Sequence, residues 1–168
     1  MRDMEALTDL AERLVTAAKE QQISCVTAES CTAGALATLL AEIPGAGDTF
    51  FGGFVSYSKA FKEKILRVPT GLIENETAVS DPVARAMAKG ALEQSGCDLA
   101  LAITGVIGPK PDEDGNPVGL FFVAAVTRGG NENSTMHNLG AETPGKICGA
   151  ALREALSLGL REIRGSSQ

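Results

Sequence analysis

The chain has 168 residues, 44% of them hydrophobic, with 19 glycines and no tryptophan, which fits one globular domain with a sizeable core and excludes a low-complexity or disordered chain. The net charge of -6 leaves no basic stripe for phosphate backbones, so nucleic acid is not an expected partner; a local pocket for a small anionic ligand stays open. The four cysteines (Cys25, Cys31, Cys97, Cys148) include no CxxC pair and His137 is the one histidine, so no zinc site is expected. No secretory h-region opens the chain and no apolar run reaches the ~18 residues of a membrane span. A reduced, cytoplasmic, soluble protein is the expectation.

Residues 4–20 place Leu7, Leu10, Ala11, Leu14 and Ala18 on one face, the pattern of an amphipathic helix. Ile23 to Val26 reads as a strand. It runs into the polar corner Thr27-Ala28-Glu29-Ser30-Cys31-Thr32, and a helix follows from about Cys31 to Glu42 before the stop at Pro44-Gly45. Thr49 to Tyr57, rich in aromatic and β-branched residues, reads as a strand bulged or closely approached at Gly52-Gly53. Ser58 to Leu66 reads as a short helix and residues 67–79 as mostly loop. Ser80-Asp81-Pro82 starts a helix, with a capping side chain and Pro in the first turn, and Gly96 stops it. Leu99 to Ile103 is a strand covered on both faces. Strands at Val118 to Thr127 and around Ser134 to Leu139 follow, then a helix over 145–163.

The order α-β-α-β-α-α-β-β-β-α predicts an α/β domain: three layers, α/β/α, around a mixed, mostly parallel sheet. Ligands of such sheets sit at the carboxyl ends of strands. The corners at 27–32 and 104–109 both follow strands, so they can face one crevice.

Each candidate in those corners has two readings. Ser30 is a nucleophile or an ordinary helix N-cap. Its base is either His137, for which spacing identifies no acidic partner, or a buried lysine such as Lys62, which otherwise belongs to a solvated helix face. Tyr57, the one tyrosine, is a core-edge residue or a phenol that relays a proton or orients the lysine. Cys31 is a rival nucleophile, because a helix N-terminus would lower its pKa. Glu29 is an acid or an acceptor for the corner's N–H groups. The turn Thr104 to Pro109 is a strand exit or a set of N–H donors for an oxyanion or phosphate; it is not a Walker loop. Asp112, Glu113 and Asp114 read as a solvated loop.

Five segments occur in a telling order: TAESCTAG at 27–34, YSKAFK at 57–62, AVS at 78–80, AITGVIGP at 102–109 and PVGLFFVA at 117–124. Together they resemble the CinA C-terminal domain family over about residues 5–160. The active members of that family are nicotinamide mononucleotide amidases. The resemblance implies a stand-alone form, without the molybdopterin-binding-like domain of longer CinA proteins. It implies hydrolysis of a nucleotide carboxamide without metal or cofactor, by Ser30 as nucleophile, Lys62 as base and Tyr57 in the proton network. Glu29, Cys31, Thr32, Thr104, Gly105 and Gly108 would line the substrate pocket, with donors at the second helix's N-terminus for the oxyanion. A homo-oligomer with a small nucleotide substrate is expected. The alternative is a catalytically weak domain that binds a nucleotide or a protein.

Two stretches depart from the family pattern. Pro44-Gly45-Ala46-Gly47 lacks the usual serines, and Gly140 to Lys146 lacks the usual arginine. Lys146 cannot reproduce a bidentate guanidinium, so the phosphate half of the site differs from the family pattern.

Overall fold

The computed structural model describes residues 2–165, with side chains from Met4 onward. Its elements are α1 (Arg2–Glu20), β1 (Cys25–Glu29), α2 (Ala35–Ala41), a 3-10 turn (Ala46–Asp48), β2 (Phe50–Val55), α3 (Lys59–Leu66), α4 (Thr70–Glu76), α5 (Asp81–Ser95), β3 (Leu99–Gly105), β4 (Leu120–Thr127), β5 (Glu132–Asn138) and α6 (Pro144–Gly165). Among the described residues, no helix is long and apolar enough to cross a membrane.

The five strands form one sheet in the order β2-β1-β3-β4-β5. β1 pairs in parallel with β2 and β3, whereas β3–β4 and β4–β5 are antiparallel. Strand alternation then divides the core in two. Cys25, Leu99, Leu101, Ile103, Phe121 and Val123 face α1, α2 and α6. Val26, Ala28, Ala100, Ala102, Phe122 and Ala124 face α3, α4 and α5. Both faces of the central strands are covered, which explains why LALAI carries no polar residue. The expected three-layer α/β/α arrangement with a mixed sheet is the observed one.

The register of β1 against β2 passes from Cys25–Phe50 to Val26–Gly52, so Phe51 is the bulged residue. Gly53 is needed for a different reason. A Cβ there would lie 2.9 Å from the Ala37 Cβ and against the Thr27 hydroxyl, so α2 packs this close only over a glycine.

Five local expectations need correction, the first being the strand expected over Ile23 to Val26, which is β1 at Cys25–Glu29 and takes in Thr27, Ala28 and Glu29 of the expected corner. Residues 70–76, expected as loop, form α4; Pro69 O accepts the first N–H groups and Ile73 is buried. α2 begins at Ala35 and not at Cys31, because Ala33 and Gly34 both take left-handed backbone angles. Ser80 does not cap α5; its hydroxyl donates to Thr77 O. β3 continues two residues past Ile103, since Thr104 and Gly105 still pair with Phe122 and Phe121.

Candidate active site

The neighbouring parallel strands β2, β1 and β3 end together, and the chain leaves β1 towards one side of the sheet while β3 lies on the other. This switch point opens a crevice beyond the carboxyl ends of the strands. The corner after β1 is fixed from three directions. Ser30 N–H donates to Ile103 O at 3.0 Å, Ser56 N–H donates to Glu29 O at 2.7 Å, and Ala33 N–H closes a turn onto Ser30 O at 3.1 Å. The left-handed pair at Ala33 and Gly34 then swings α2 over the Glu29 carboxylate.

Glu29 is fully buried and resolves its two readings in favour of the acceptor. Its carboxylate accepts from the backbone N–H groups of Gly34 (3.1 Å), Leu36 (3.0 Å) and Ala37 (2.8 Å) and from Thr32 Oγ1 (2.7 Å). These are the orphan donors of the first turn of α2, so an anion at a helix N-terminus is supplied from inside the protein. The consequence corrects two expectations. Glu29 and Thr32 do not line the crevice, and the N-terminus of α2 has no donors left for an oxyanion.

Lys62 enters from α3, whose start is fixed by Ser58 Oγ accepting the Phe61 N–H at 3.2 Å. The side chain is 1% exposed, and its Nζ lies 2.7 Å from Ser30 Oγ, 2.7 Å from Ser56 O and 3.2 Å from Tyr57 O. Both carbonyls can only accept. A neutral amine has two N–H donors and one lone pair; with the donors on the carbonyls, the lone pair is directed at the Ser30 hydroxyl. Burial lowers the Lys62 pKa from 10.5 to about 8, slightly opposed by the neighbouring Cys31. No carboxylate bonds to Lys62 among the described residues, so no counter-charge holds the proton on. Ser30 is 7% exposed and opens onto the crevice.

Cys31 is excluded as the activated group. Burial raises its thiol to about 12, and the helix N-terminus expected to lower it begins four residues later. His137 is excluded as the base: it stacks on Phe121 and has Glu154 at 3.6 Å, on β5 and away from the crevice.

The crevice encloses about 420 Å³. Ser30, Cys31 and Lys62 line the crevice together with Thr104, Gly105 and Gly108. The Thr104 hydroxyl donates to Ala78 O at 2.7 Å, which draws the 78–80 segment to the same crevice. Tyr57 stands at the mouth, 71% exposed. Its backbone carbonyl, and not its phenol, reaches Lys62. The acidic stretch 112–114, read from sequence as a solvated loop, also lines the crevice. Its position directly after the Thr104 to Pro109 corner was the available signal, because that corner already leaves the carboxyl end of β3.

Neither departure from the family pattern falls in the crevice. The 3-10 turn at Ala46–Asp48 precedes β2, at the opposite end of the strand. Lys146 pairs with Glu142 at 3.0 Å on an exposed helix start. A larger cavity of about 650 Å³ opens near Asp98 and Arg128 at the other end of the sheet, but no nucleophile and base meet there. Among the described residues no three His, Cys, Asp or Glu side chains converge as metal ligands.

The fold and the crevice define a three-layer α/β/α domain whose site lies at a topological switch point. Residues 7–163 match the CinA C-terminal domain, and the chain belongs to that family. It is 44% identical over 135 residues to a CinA-like protein of Mycobacterium marinum, covering 80% of this chain and 31% of the relative. It is 42% identical over 127 residues to a putative competence-damage inducible protein of Symbiobacterium thermophilum, covering 76% and 29%. The chain thus spans less than a third of these relatives. Among solved structures, the competence/damage inducible protein CihA of Agrobacterium tumefaciens superposes with a TM-score of 0.89 at 35% identity, covering 94% of this chain and 95% of that one. A CinA superfamily protein of Escherichia coli superposes at 0.88 with 33% identity, covering 93% and 90%.

Proposed function

We propose that the chain is a metal-independent amidohydrolase that converts nicotinamide mononucleotide to nicotinate mononucleotide and ammonia. The observation that carries the reading is the environment of Lys62: two carbonyl acceptors and one serine hydroxyl, in a buried position without a counter-ion. In the first step Ser30 Oγ attacks the carboxamide carbon and its proton passes to Lys62 Nζ. Lys62 returns that proton to the leaving nitrogen as the C–N bond breaks, which releases ammonia and leaves an ester on Ser30. Water then attacks the ester, again giving its proton to Lys62, and the C–O bond to Ser30 breaks with return of the proton to Oγ. The developing oxyanion needs donors. Ile107 and Gly108 line the crevice, and their backbone N–H groups have no acceptor among the described residues, so they are the candidates.

A second reading is binding of a nucleotide without turnover. Ammonia release from nicotinamide mononucleotide, compared between wild type, Ser30→Ala and Lys62→Ala, separates the two. The enzyme reading requires release by wild type and its loss in both variants; a wild type that binds the nucleotide and releases nothing supports the second reading.

A further inference from the structure

We infer that Asn116 is a positioning residue of the amide site that acts through Thr77: its side chain holds Thr77 in a backbone conformation that glycine alone takes freely, and that conformation sets the crevice lining at Ala78 and Val79. The part concerning the substrate rests on the amidohydrolase reading. Thr77 has φ +66° and ψ 164°, a region confined almost wholly to glycine. Among the described residues four besides glycine have positive φ (Gln22, Ala33, Arg67 and Thr77), and Thr77 is the β-branched one. Helix capping does not offset the strain. Gly96, which ends α5 with φ +70°, donates its N–H to Leu92 O at 2.9 Å. Thr77 ends α4, and its N–H has no acceptor among the described residues.

The compensation comes from side chains. Asn116 Nδ2 donates to Thr77 Oγ1 at 3.1 Å, and the Thr77 hydroxyl donates to Val79 O at 3.4 Å. Ser80 Oγ donates to Thr77 O at 3.1 Å, and Thr104 Oγ1 donates to Ala78 O at 2.7 Å. Asn116 is itself fixed, since its backbone N–H and its Nδ2 both donate to the Asp112 carboxylate at 2.8 Å. The loop after β3, β3 itself and the start of α5 therefore converge on residues 77–80. The AVS segment at 78–80 carries part of the family resemblance, yet the Ser30–Lys62 chemistry gives it no role. Ala78 and Val79 line the crevice with Ser30 and Lys62, whereas Thr77 and Asn116 do not. The N–H groups of Ala78 and Val79 have no acceptor among the described residues, so this lining adds two unpaired donors to those of Ile107 and Gly108. Relaxation of Thr77 to an ordinary β conformation would turn both groups, because rotation about one φ moves the chain that follows. With Asn116 in place that relaxation breaks a hydrogen bond; without Asn116 the strain is free to drive it.

The test is a double-mutant cycle on ammonia release from nicotinamide mononucleotide, with Asn116→Ala, Thr77→Gly and the two combined. Asn116→Ala is expected to lose about ten-fold or more in kcat/KM. Thr77→Gly is expected to stay within about three-fold of wild type, because glycine takes φ +66° without strain, and to bring Asn116→Ala back to the same range. Thermal unfolding supplies an independent reading. Thr77→Gly should be more stable than Thr77→Ala, the reverse of the usual order for these two residues. An Asn116→Ala effect that is the same with and without Thr77→Gly overturns the inference, and so does a Thr77→Ala more stable than Thr77→Gly. If wild type releases no ammonia, the amidohydrolase reading fails, and calorimetric titration with nicotinamide mononucleotide reads the same cycle. Affinity lost in Asn116→Ala and regained with Thr77→Gly supports the inference; affinity that neither substitution moves, or no binding by wild type, overturns it.

Discussion

Glu29 Oε1 accepts the backbone N–H of Ala37 at 2.8 Å, reaching from the end of β1 across the corner into the first turn of α2. One carboxylate thereby holds the strand that delivers Ser30 and the helix that covers it. Glu29→Ala leaves three backbone donors without partners, one buried and two partly buried, and is expected to destabilise the fold by about 3 kcal/mol. Urea unfolding measures this. A loss below about 0.5 kcal/mol would show that water or rearranged backbone replaces the carboxylate.

Gly53 sets how closely α2 approaches β2. Gly53→Ala places a Cβ against Ala37 and the Thr27 hydroxyl, and an expected loss of about 1–3 kcal/mol follows from overpacking. Gly52→Ala is the useful control: there the space is open but φ is +148°, so its loss reports backbone strain alone. Thermal unfolding of both variants separates a steric cause from a conformational one.

Cys31 stays a thiol at neutral pH, because burial raises its pKa to about 12. Alkylation by iodoacetamide at pH 8 is expected to be far slower in the folded chain than in the urea-unfolded one. Ser30→Ala, with Cys31 intact, is expected to release no ammonia. Residual turnover that disappears on alkylation would instead assign nucleophilic attack to the cysteine.

Lys62 gives activity a defined pH dependence. Its free-enzyme pKa of about 8 leaves roughly a tenth of it neutral at pH 7, so kcat/KM should rise nearly ten-fold per unit below pH 8 and level off above it. The stability effect has the sign of a depressed base. The unfolded chain holds the lysine proton up to its ordinary value of 10.5, while the folded chain releases it near 8. Below pH 8 the buried ammonium weakens the fold, and this penalty eases as pH rises from about 8 towards 10.5. Wild type should therefore gain stability relative to Lys62→Met across that window. A constant difference would contradict the depressed pKa.

The layers were legible because periodicity is strong where burial is two-sided. LALAI and the stripe through Leu7, Leu14 and Ala18 left few alternatives. α4 was not legible: Thr70 to Glu76 has Gly71 in its first turn and no apolar stripe, and the packing of Leu72 and Ile73 on the core is a tertiary contact. The delay of α2 to Ala35 was hidden for a related reason, since Ala33 takes a left-handed angle that no propensity assigns to alanine. In the site, spacing placed Ser30 and Thr104 in corners that each follow a strand but could not bring Lys62 to Ser30 across 32 positions. The family resemblance did so, and the geometry puts the two side chains together. The same resemblance gave Glu29 and Thr32 to the substrate, where the fold uses them to hold α2. The acidic loop was misread because its charges suggest solvent exposure, while its origin at the end of β3 puts it on the crevice wall.

The most direct test of the Ser30–Lys62 pairing is the initial rate of ammonia release from nicotinamide mononucleotide at pH 8, for wild type, Ser30→Ala, Lys62→Ala and Lys62→Arg. A Ser–Lys mechanism predicts turnover by wild type and losses of at least about 1,000-fold in all three variants, with arginine no better than alanine because a guanidinium cannot accept the proton. Wild-type turnover that survives in Ser30→Ala, or that Lys62→Arg restores, would contradict it.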